Sequence, residues 1–176
     1  MRMGLTRRLV LLCGVVVSLS GVTAMAAVNA YMTIEGSTQG AIAGNSSRTA
    51  APAGAIELTS VVQESTAPRD AATGAASGKR QHSAIIITKK IDMASPKLVR
   101  AMNTGENLRT VTIVFEGAGG GAGKEKVAQK ITLNDAMITS VQNTGTTETI
   151  KLTYRQIEVT YVSGGKSATD DWESPK

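Results

Sequence analysis

The chain has 176 residues, of which 41% are hydrophobic and only 3% are aromatic, and its formal net charge is +5. This length allows one domain with a sizeable core, and no internal repeat or change in composition argues for two folded units. The scarcity of aromatic residues disfavours carbohydrate binding and base stacking, because both functions usually need exposed aromatic platforms.

The first 26 residues are predicted to be a secretory signal. Three arginines precede an apolar stretch at residues 9–17, and Ala24-Met25-Ala26 places small residues where a signal peptidase reads them. We expect cleavage after Ala26. A retained membrane anchor is the alternative, because residues 9–28 form a moderately apolar stretch about as long as a membrane span.

Cleavage would leave residues 27–176 as a single domain and would change its chemistry. The mature chain would keep 16 basic and 14 acidic residues, a formal charge of +2, and it shows no concentrated basic face for nucleic acid. It would also lose Cys13, the only cysteine, and with it any disulfide or thiolate chemistry. We therefore expect no nucleic-acid partner, and no membrane contact after cleavage.

The domain is predicted to begin with strands that are separated by long polar loops. Residues 29–35 and 56–62 alternate in the period-two pattern of a strand. Residues 36–54 and 64–82 are rich in Gly, Ser, Ala and Thr, which predicts loops. Structureless loops of this length are uncommon in compact domains. The segment 64–82 is therefore either a solvent-exposed connection between strands or a binding or assembly loop.

Residues 83–109 contain the clearest strand and the only convincing helix. Three consecutive isoleucines within residues 84–88 indicate a buried strand. Ser95 is predicted to cap the following helix, Pro96 suits its first turn, and Gly105 supplies the stop. A short helix is therefore expected to lie against the sheet.

The remainder of the chain is predicted to be strands and turns. Residues 110–115, 127–133 and 137–141 have strand patterns, Asn134-Asp135 marks a turn, and the glycine tract at 117–123 breaks the chain. In residues 150–161 the apolar positions change from even to odd, which predicts a bulge or bend near Arg155-Gln156.

Seven or eight short alternating strands with one side helix predict a mainly β fold. Its architecture is either a small antiparallel β-barrel or a two-sheet sandwich, and the number of strands does not separate the two.

Few residues could carry catalytic chemistry. The tract GAGGGAGKEK does not fit a phosphate-binding loop, because Ala118 stands where the first motif glycine belongs and Glu125 replaces the magnesium-binding Ser or Thr. His82 is the only histidine, and without a cysteine after cleavage a metal site would need carboxylates for nearly all of its ligands. Serines in loops without a histidine partner do not suggest a hydrolase. The acidic residues are scattered over separate strands. We therefore expect no enzyme activity, no catalytic residue, no metal and no cofactor.

Two ordered motifs resemble the Hcp family, the tube-forming proteins of type VI secretion systems. The first is K-x-x-D-x-A-S-P-K-L at residues 89–98, and the second is L-T-Y-x-x-I-x-V-T-Y at residues 152–161. The resemblance extends over essentially the whole chain after the signal, including NAYMTIEGSTQG, TVTIVFEGAG and a DDW near the end.

The resemblance implies a β-barrel of two sheets with a helix at its side. It also implies self-assembly into homo-hexameric rings that stack into a tube, with small protein effectors in the lumen and other type VI secretion components as partners. The segment 64–82 would correspond to the family's protruding loop. Within it, the candidate ring-stacking residues are Pro68, Arg69, Asp70, Gly78, Lys79 and Arg80.

The predicted signal departs from the family pattern, since typical tube proteins are made without a signal and are loaded from the cytoplasm. It indicates a protein that is exported, to the periplasm or out of the cell. The alternative function is therefore an exported, stand-alone Hcp-like binding or adhesion module.

Overall fold

The structure is a computed structural model that describes residues 29–75, 77, 81–117 and 126–171. The predicted signal and most of the glycine tract lie outside the described residues, as do the candidate loop residues Gly78, Lys79 and Arg80.

The described residues form one α-helix, α1, eleven strands and a short 3₁₀ turn. In chain order they are β1 (Ala30–Gly36), β2 (Gly40–Ala41), β3 (Ile56–Leu58), β4 (Ser60–Val62), β5 (Ser65–Thr66), β6 (Gln81–His82), β7 (Ile85–Lys90), α1 (Ser95–Thr104), β8 (Leu108–Gly117), β9 (Lys126–Thr144), β10 (Thr147–Tyr161), the 3₁₀ turn (Val162–Gly164) and β11 (Lys166–Asp171).

Nine of these strands form one antiparallel sheet. Its order is β2-β1-β8-β9-β10-β7-β4, with β3 paired to β1 and β11 paired to β10, while β5 and β6 make a separate two-stranded ribbon. The prediction of a mainly β, antiparallel fold with one side helix is confirmed.

The sheet is not closed into a barrel. The segment that contains β3 and β4 changes its pairing partner along its length. Its first half pairs with β1 and its second half pairs with β7. Thr59 lies between the two halves, and both its backbone N–H and its hydroxyl donate to the carbonyl of Thr88, at 2.8 and 2.9 Å. The predicted strand at 56–62 is therefore two short strands separated by a break.

The hydrophobic core lies on the inner face of the curved sheet. Isoleucine, leucine and valine side chains from six strands fill it, and α1 adds Leu98 and Ala101 from its inner face. Burying each large aliphatic side chain stabilises the fold by about 1.5–3 kcal/mol. The core thus places α1 against the sheet, as expected from the sequence.

The long strands bend together at one level of the sheet. In β10 the buried positions change from even to odd between Tyr154 and Ile157, as predicted, and in β9 they change from odd to even between Leu133 and Ala136. At Asp135 the backbone φ is 51°. The predicted turn at Asn134-Asp135 is therefore wrong, because Asp135 bends one continuous strand and does not join two.

Asp135 suits this left-handed position because a short polar side chain tolerates positive φ better than other non-glycine residues. Its carboxylate is held by Arg155, whose Nε donates to Oδ2 at 2.9 Å, and Arg155 Nη1 lies 3.3 Å from Asp171 on β11. The bend and the attachment of the edge strand β11 therefore share one arginine.

We expect Asp135→Val to destabilise the protein by about 1–3 kcal/mol, because a β-branched residue is strained at positive φ. Asp135→Asn keeps the conformational tolerance and loses only an exposed ion pair, so it should cost less than about 1 kcal/mol. Urea unfolding of both variants measures the difference. Equal stability of the two variants would show that the backbone conformation does not matter.

Candidate functional site

The first family motif builds a buried cluster of charges around Lys89. The Lys89 ammonium lies 3.0 Å from Glu148 Oε2 and 2.8 Å from Asp92 Oδ1, and it donates to Ser95 Oγ at 3.0 Å and to the Lys90 carbonyl at 2.8 Å. The side chains of Lys89 and Glu148 are 0% exposed. The two residues are direct cross-strand partners on β7 and β10.

Ser95 connects this cluster to the start of α1. Its hydroxyl donates to Glu148 Oε2 at 2.9 Å and accepts the Asp92 N–H at 3.2 Å. The predicted capping role of Ser95 is wrong, because the helix begins at Ser95 itself, after Ala94, with no side-chain cap. Asp92 orders the entry, since its Oδ1 accepts the Ala94 N–H at 2.9 Å.

The cluster is chemically a structural site. A buried charge that is not solvated by water needs hydrogen-bonding partners within the protein. The partners of Lys89 lie on β7, on α1 and on β10. A substrate could not reach the ammonium or the Glu148 carboxylate without opening the core. The arrangement therefore fixes three elements relative to one another.

A second carboxylate, Glu106, fixes the other end of the helix. Its Oε1 accepts the backbone N–H groups of Thr38 and Gln39, both at 2.8 Å, and its Oε2 accepts the Gln39 side-chain amide at 2.7 Å. Gly36 permits this approach, because a Cβ at that position would lie 2.5 Å from Glu106 Oε1. The turn between β1 and β2 is thus held against the end of α1.

The electrostatics of Glu106 follow from these contacts. Burial alone would raise the pKa of Glu106, but the hydrogen bonds from Gln39 and Thr38 and the nearby Arg100 charge favour the ionised carboxylate. The pKa of Glu106 is therefore below its ordinary value. Sequence reasoning missed this residue. The only local signal was an acid directly after the helix stop Gly105, and its partners lie 67 and 68 residues away.

The segment predicted as a long polar loop is a projecting hairpin. The strands β5 and β6 pair with each other and have no partner in the main sheet. The described residues between them are exposed apart from Pro68, which is half-buried. Sequence reasoning missed this ordered ribbon, because its strands have only two residues each and carry no apolar alternation.

The tip of the hairpin is ordered by Asp70. Its Oδ1 accepts the N–H groups of Ala72 and Thr73, at 3.0 and 2.8 Å, and the Thr73 hydroxyl at 2.9 Å. The Thr73 backbone N–H is the main cause of the lowered pKa of Asp70, followed by the Thr73 hydroxyl and the Ala72 N–H. Arg69 Nη1 donates to the Gly74 carbonyl at 3.2 Å.

The structure therefore brings three candidate loop residues, Pro68, Arg69 and Asp70, together on one projecting tip. The other three, Gly78, Lys79 and Arg80, lie outside the described residues. The tip has an exposed guanidinium and an exposed carboxylate but no large apolar side chain. Such a surface suits polar contacts with another protein.

The described residues offer little for other functions. No group of three or more His, Cys, Asp or Glu within them is placed to hold a metal ion. No helix in the described part of the chain has the length and hydrophobicity for a membrane crossing. A cavity of about 190 Å³ beside β1 and β2 is lined mainly by alanine, threonine and isoleucine, and Glu35 is the one ionisable residue in its lining.

Removal of the buried Lys89 charge should reduce the free energy of unfolding far more than removal of the exposed Lys90 charge. We expect Lys89→Met to destabilise the protein by about 3–5 kcal/mol, because Glu148 keeps its buried charge and loses its cross-strand partner. The matched control Lys90→Met changes an exposed lysine and should stay within about 0.5 kcal/mol of wild type. Urea unfolding gives both values.

The double variant Lys89→Met/Glu148→Leu tests whether the pair acts as a unit. It should recover part of the stability lost in Lys89→Met, since the fully buried Glu148 carboxylate is removed together with the ammonium, while the 10% exposed Asp92 carboxylate remains. Strictly additive costs in a double-mutant cycle would rule out the coupling.

Glu106 should contribute stability in a pH-dependent way. Because its pKa is lowered by folding, its contribution is complete above about pH 5 and disappears as the pH falls through the lowered folded-state pKa. Glu106→Gln should therefore cost about 1 kcal/mol at pH 7, from the loss of charge-assisted hydrogen bonds. The difference from wild type should shrink as the pH falls below about 5 and through the lowered pKa of Glu106. Urea midpoints at each pH test this, and a constant difference would contradict it.

Comparison with known proteins places these features in a family. The family model described as "Type VI secretion system effector, Hcp" matches residues 31–161. The "Major exported protein" of Pseudomonas aeruginosa is 35% identical over 120 aligned residues, which cover 61% of this chain and 69% of that protein.

Solved structures agree with the sequence match. Hcp1 from E. coli EAEC 042, solved as a mutant, superposes with a TM-score of 0.75 at 26% identity and covers 83% of this chain and 99% of its own. The secreted protein Hcp3 from Pseudomonas aeruginosa gives a TM-score of 0.69 at 29% identity, with 82% and 99% covered. The matched region contains the Lys89 cluster, the Glu106 contact and the hairpin, and the chain belongs to the Hcp family of type VI secretion proteins.

Proposed function

We propose that this chain is a non-enzymatic subunit that assembles into homo-hexameric rings, and that these rings stack into a type VI secretion tube. The observation that carries the proposal is the agreement in fold with Hcp1 over 99% of that chain, with family motifs that build an inaccessible structural cluster. A ring subunit needs a rigid body and an exposed contact surface, and the chain has both.

The contact between rings is proposed to involve the projecting hairpin. Arg69 and Asp70 are exposed near its tip beside the half-buried Pro68, and Gly78, Lys79 and Arg80, which lie outside the described residues, follow in the same stretch of sequence. The hydrogen bonds of Asp70 pre-order the tip, so less conformational entropy is lost when it meets a partner. Since the tip is polar and charged, the contact should weaken as salt concentration rises.

The partners that follow from this role are other copies of the chain, small protein effectors in the ring lumen, and other type VI secretion components. The predicted signal at residues 1–26 adds export, with the mature domain at residues 27–176 in the periplasm or outside the cell. An exported stand-alone binding or adhesion module is the second candidate, and the signal is the observation that favours it.

Ring formation is tested with the mature chain, residues 27–176. Light scattering and electron microscopy should detect hexameric rings at high protein concentration. A protein that stays monomeric under all conditions would contradict the proposal.

Charge reversal at the hairpin tip tests the stacking contact separately. Arg69→Glu should leave the subunit folded and the rings intact but should reduce the formation of stacked tubes by about tenfold or more, equivalent to about 1.4 kcal/mol per contact. Lys151→Glu is a matched control that reverses an exposed charge on β10, which is not a strand of the hairpin. Sedimentation at two salt concentrations measures the amount of stacked tubes. An equal loss of stacked tubes in both variants would contradict a role of the hairpin in the contact.

The two candidate functions differ in their dependence on the secretion apparatus. A tube protein should be absent from the culture medium when the apparatus is deleted. A stand-alone module should still be exported, and its appearance outside such cells would contradict the tube proposal.

A further inference from the structure

We propose that the cavity beside β1 and β2 receives the Arg69 side chain of a second copy of this chain, and that Glu35 is the carboxylate that pairs with it. This inference rests on the proposed stacking of rings and deepens it, since it assigns the surface that the hairpin tip contacts. The charges, the lining and the position of the cavity support it.

Glu35 and Arg69 are exposed groups of opposite charge. In the described part of the chain, neither has an oppositely charged group within salt-bridge distance. Most other described carboxylates are bound within the subunit: Glu57 and Glu116 by Arg48, Asp92 and Glu148 by Lys89, Asp135 and Asp171 by Arg155, and Glu106 by the Thr38 and Gln39 amides. The Glu35 carboxylate is therefore accessible to a cation from outside the subunit.

The lining of the cavity suits an arginine side chain. Glu35 and Thr110 are direct cross-strand partners, and both line the cavity, so a carboxylate and a hydroxyl lie next to each other there. Ala41, Ala43 and Ala53 add apolar lining. An arginine has an apolar stem that packs on methyl groups and a planar guanidinium that pairs with a carboxylate through two hydrogen bonds.

The size of the cavity favours a single side chain over a larger ligand. Its volume is about 190 Å³. Pockets for drug-sized molecules commonly have roughly 300–1,000 Å³. A side chain that projects from the tip of a hairpin is an occupant of suitable size.

The segment between β2 and β3, which forms one wall of the cavity, is held in place before any partner arrives. The Gly44 N–H donates to the Gly54 carbonyl at 2.8 Å, which joins the two ends of the segment. Arg48, in the same segment, lies 2.9 Å from Glu116 Oε2. Lys97 Nζ donates to the Ala41 carbonyl at 3.2 Å and fixes the wall to α1. Because both this wall and the hairpin tip are pre-ordered, little conformational entropy is lost in the contact.

The hairpin and the cavity are different surfaces of the subunit. The hairpin is a separate ribbon outside the main sheet, whereas the cavity lies on β1, β2 and β8. A contact that joins two different surfaces of identical subunits is heterologous, and it extends head to tail unless its rotation closes a ring. Stacking of rings into a tube requires a contact of this kind.

A charge swap tests the pairing. The full chain is expressed in cells, purified in the form in which the cells leave it, and assayed for stacked tubes by sedimentation. Glu35→Arg should reduce stacking by about tenfold or more, as Arg69→Glu does, because like charges then meet. The double variant Glu35→Arg/Arg69→Glu should restore stacking to within about threefold of wild type.

The matched control for the swap is Glu64→Arg/Arg69→Glu. It has the same net charge, but it reverses an exposed acid that does not line the cavity. It should remain as defective in stacking as Arg69→Glu alone.

A pair of neutral variants tests the cavity without a change in charge. Ala53→Leu narrows the cavity and should reduce stacking by about tenfold, because the larger side chain clashes with the incoming one. Ala50→Leu changes an exposed alanine of the same segment outside the lining, and it should stack like wild type. Urea unfolding and light scattering verify that each variant is folded and forms rings.

The inference would be overturned by a swap that fails to restore stacking, by equal restoration in the Glu64 control, or by normal stacking of Glu35→Arg or Ala53→Leu. In each of these cases the hairpin contact itself would stand as long as Arg69→Glu is defective. A wild type that forms rings but no tubes, or no rings at all, would overturn the proposed function, and this inference with it.

Discussion

The structure depends on the burial of one positive charge. The Lys89 ammonium lies in the core without access to water, and it is tolerated there because Glu148, Asp92, Ser95 and the Lys90 carbonyl surround it at hydrogen-bonding distance. Two well-packed apolar residues could fill the same space at equal or better stability. Unlike apolar packing, the ion pair and its hydrogen bonds depend on geometry. They are satisfied by only one arrangement of β7, α1 and β10. We interpret the cluster as a device for geometric precision.

The position of α1 then determines the position of the turn between β1 and β2. Once Ser95 is bound to Glu148, the first turn of α1 cannot slide along the sheet, and the helix ends at Gly105 in a left-handed conformation with φ of 62°. Glu106 follows immediately and holds the turn between β1 and β2. Two carboxylates, one at each end of a ten-residue helix, therefore connect local structure to long-range packing.

The sequence predicted features whose causes are local. Three isoleucines indicated β7, Gly105 ended the helix, and the change of apolar face located the bend in β10. The two family motifs identified the family without revealing the function of their residues. Lys89, Asp92 and Ser95 were recognised as a pattern, but the partner that explains them, Glu148, lies 59 residues from Lys89. Ser95 was misassigned as a cap because its capping propensity is local, whereas its actual partner comes from another strand.

Other errors have the same origin. Asp135 follows Asn134 in a sequence that is typical of a turn, but the ladder to β8 and β10 continues past it and converts the turn into a bend. The break at Thr59 depends on a carbonyl of Thr88 that no periodicity in residues 56–62 could reveal. In the candidate loop, composition indicated length and exposure, while the order of the hairpin comes from the hydrogen bonds of Asp70.

The placement of charges separates the stability of the subunit from its assembly. The pair formed by Lys89 and Glu148 is fully buried, so dissolved salt screens it weakly, whereas Arg69 and Asp70 on the hairpin are exposed and strongly screened. With Cys13 as its only cysteine, the chain cannot form an internal disulfide, and its shape depends on buried charges together with an aliphatic core. Contacts between copies through the hairpin would then respond to salt while the subunit does not. Such a division lets a subunit remain folded while the solution conditions control its association.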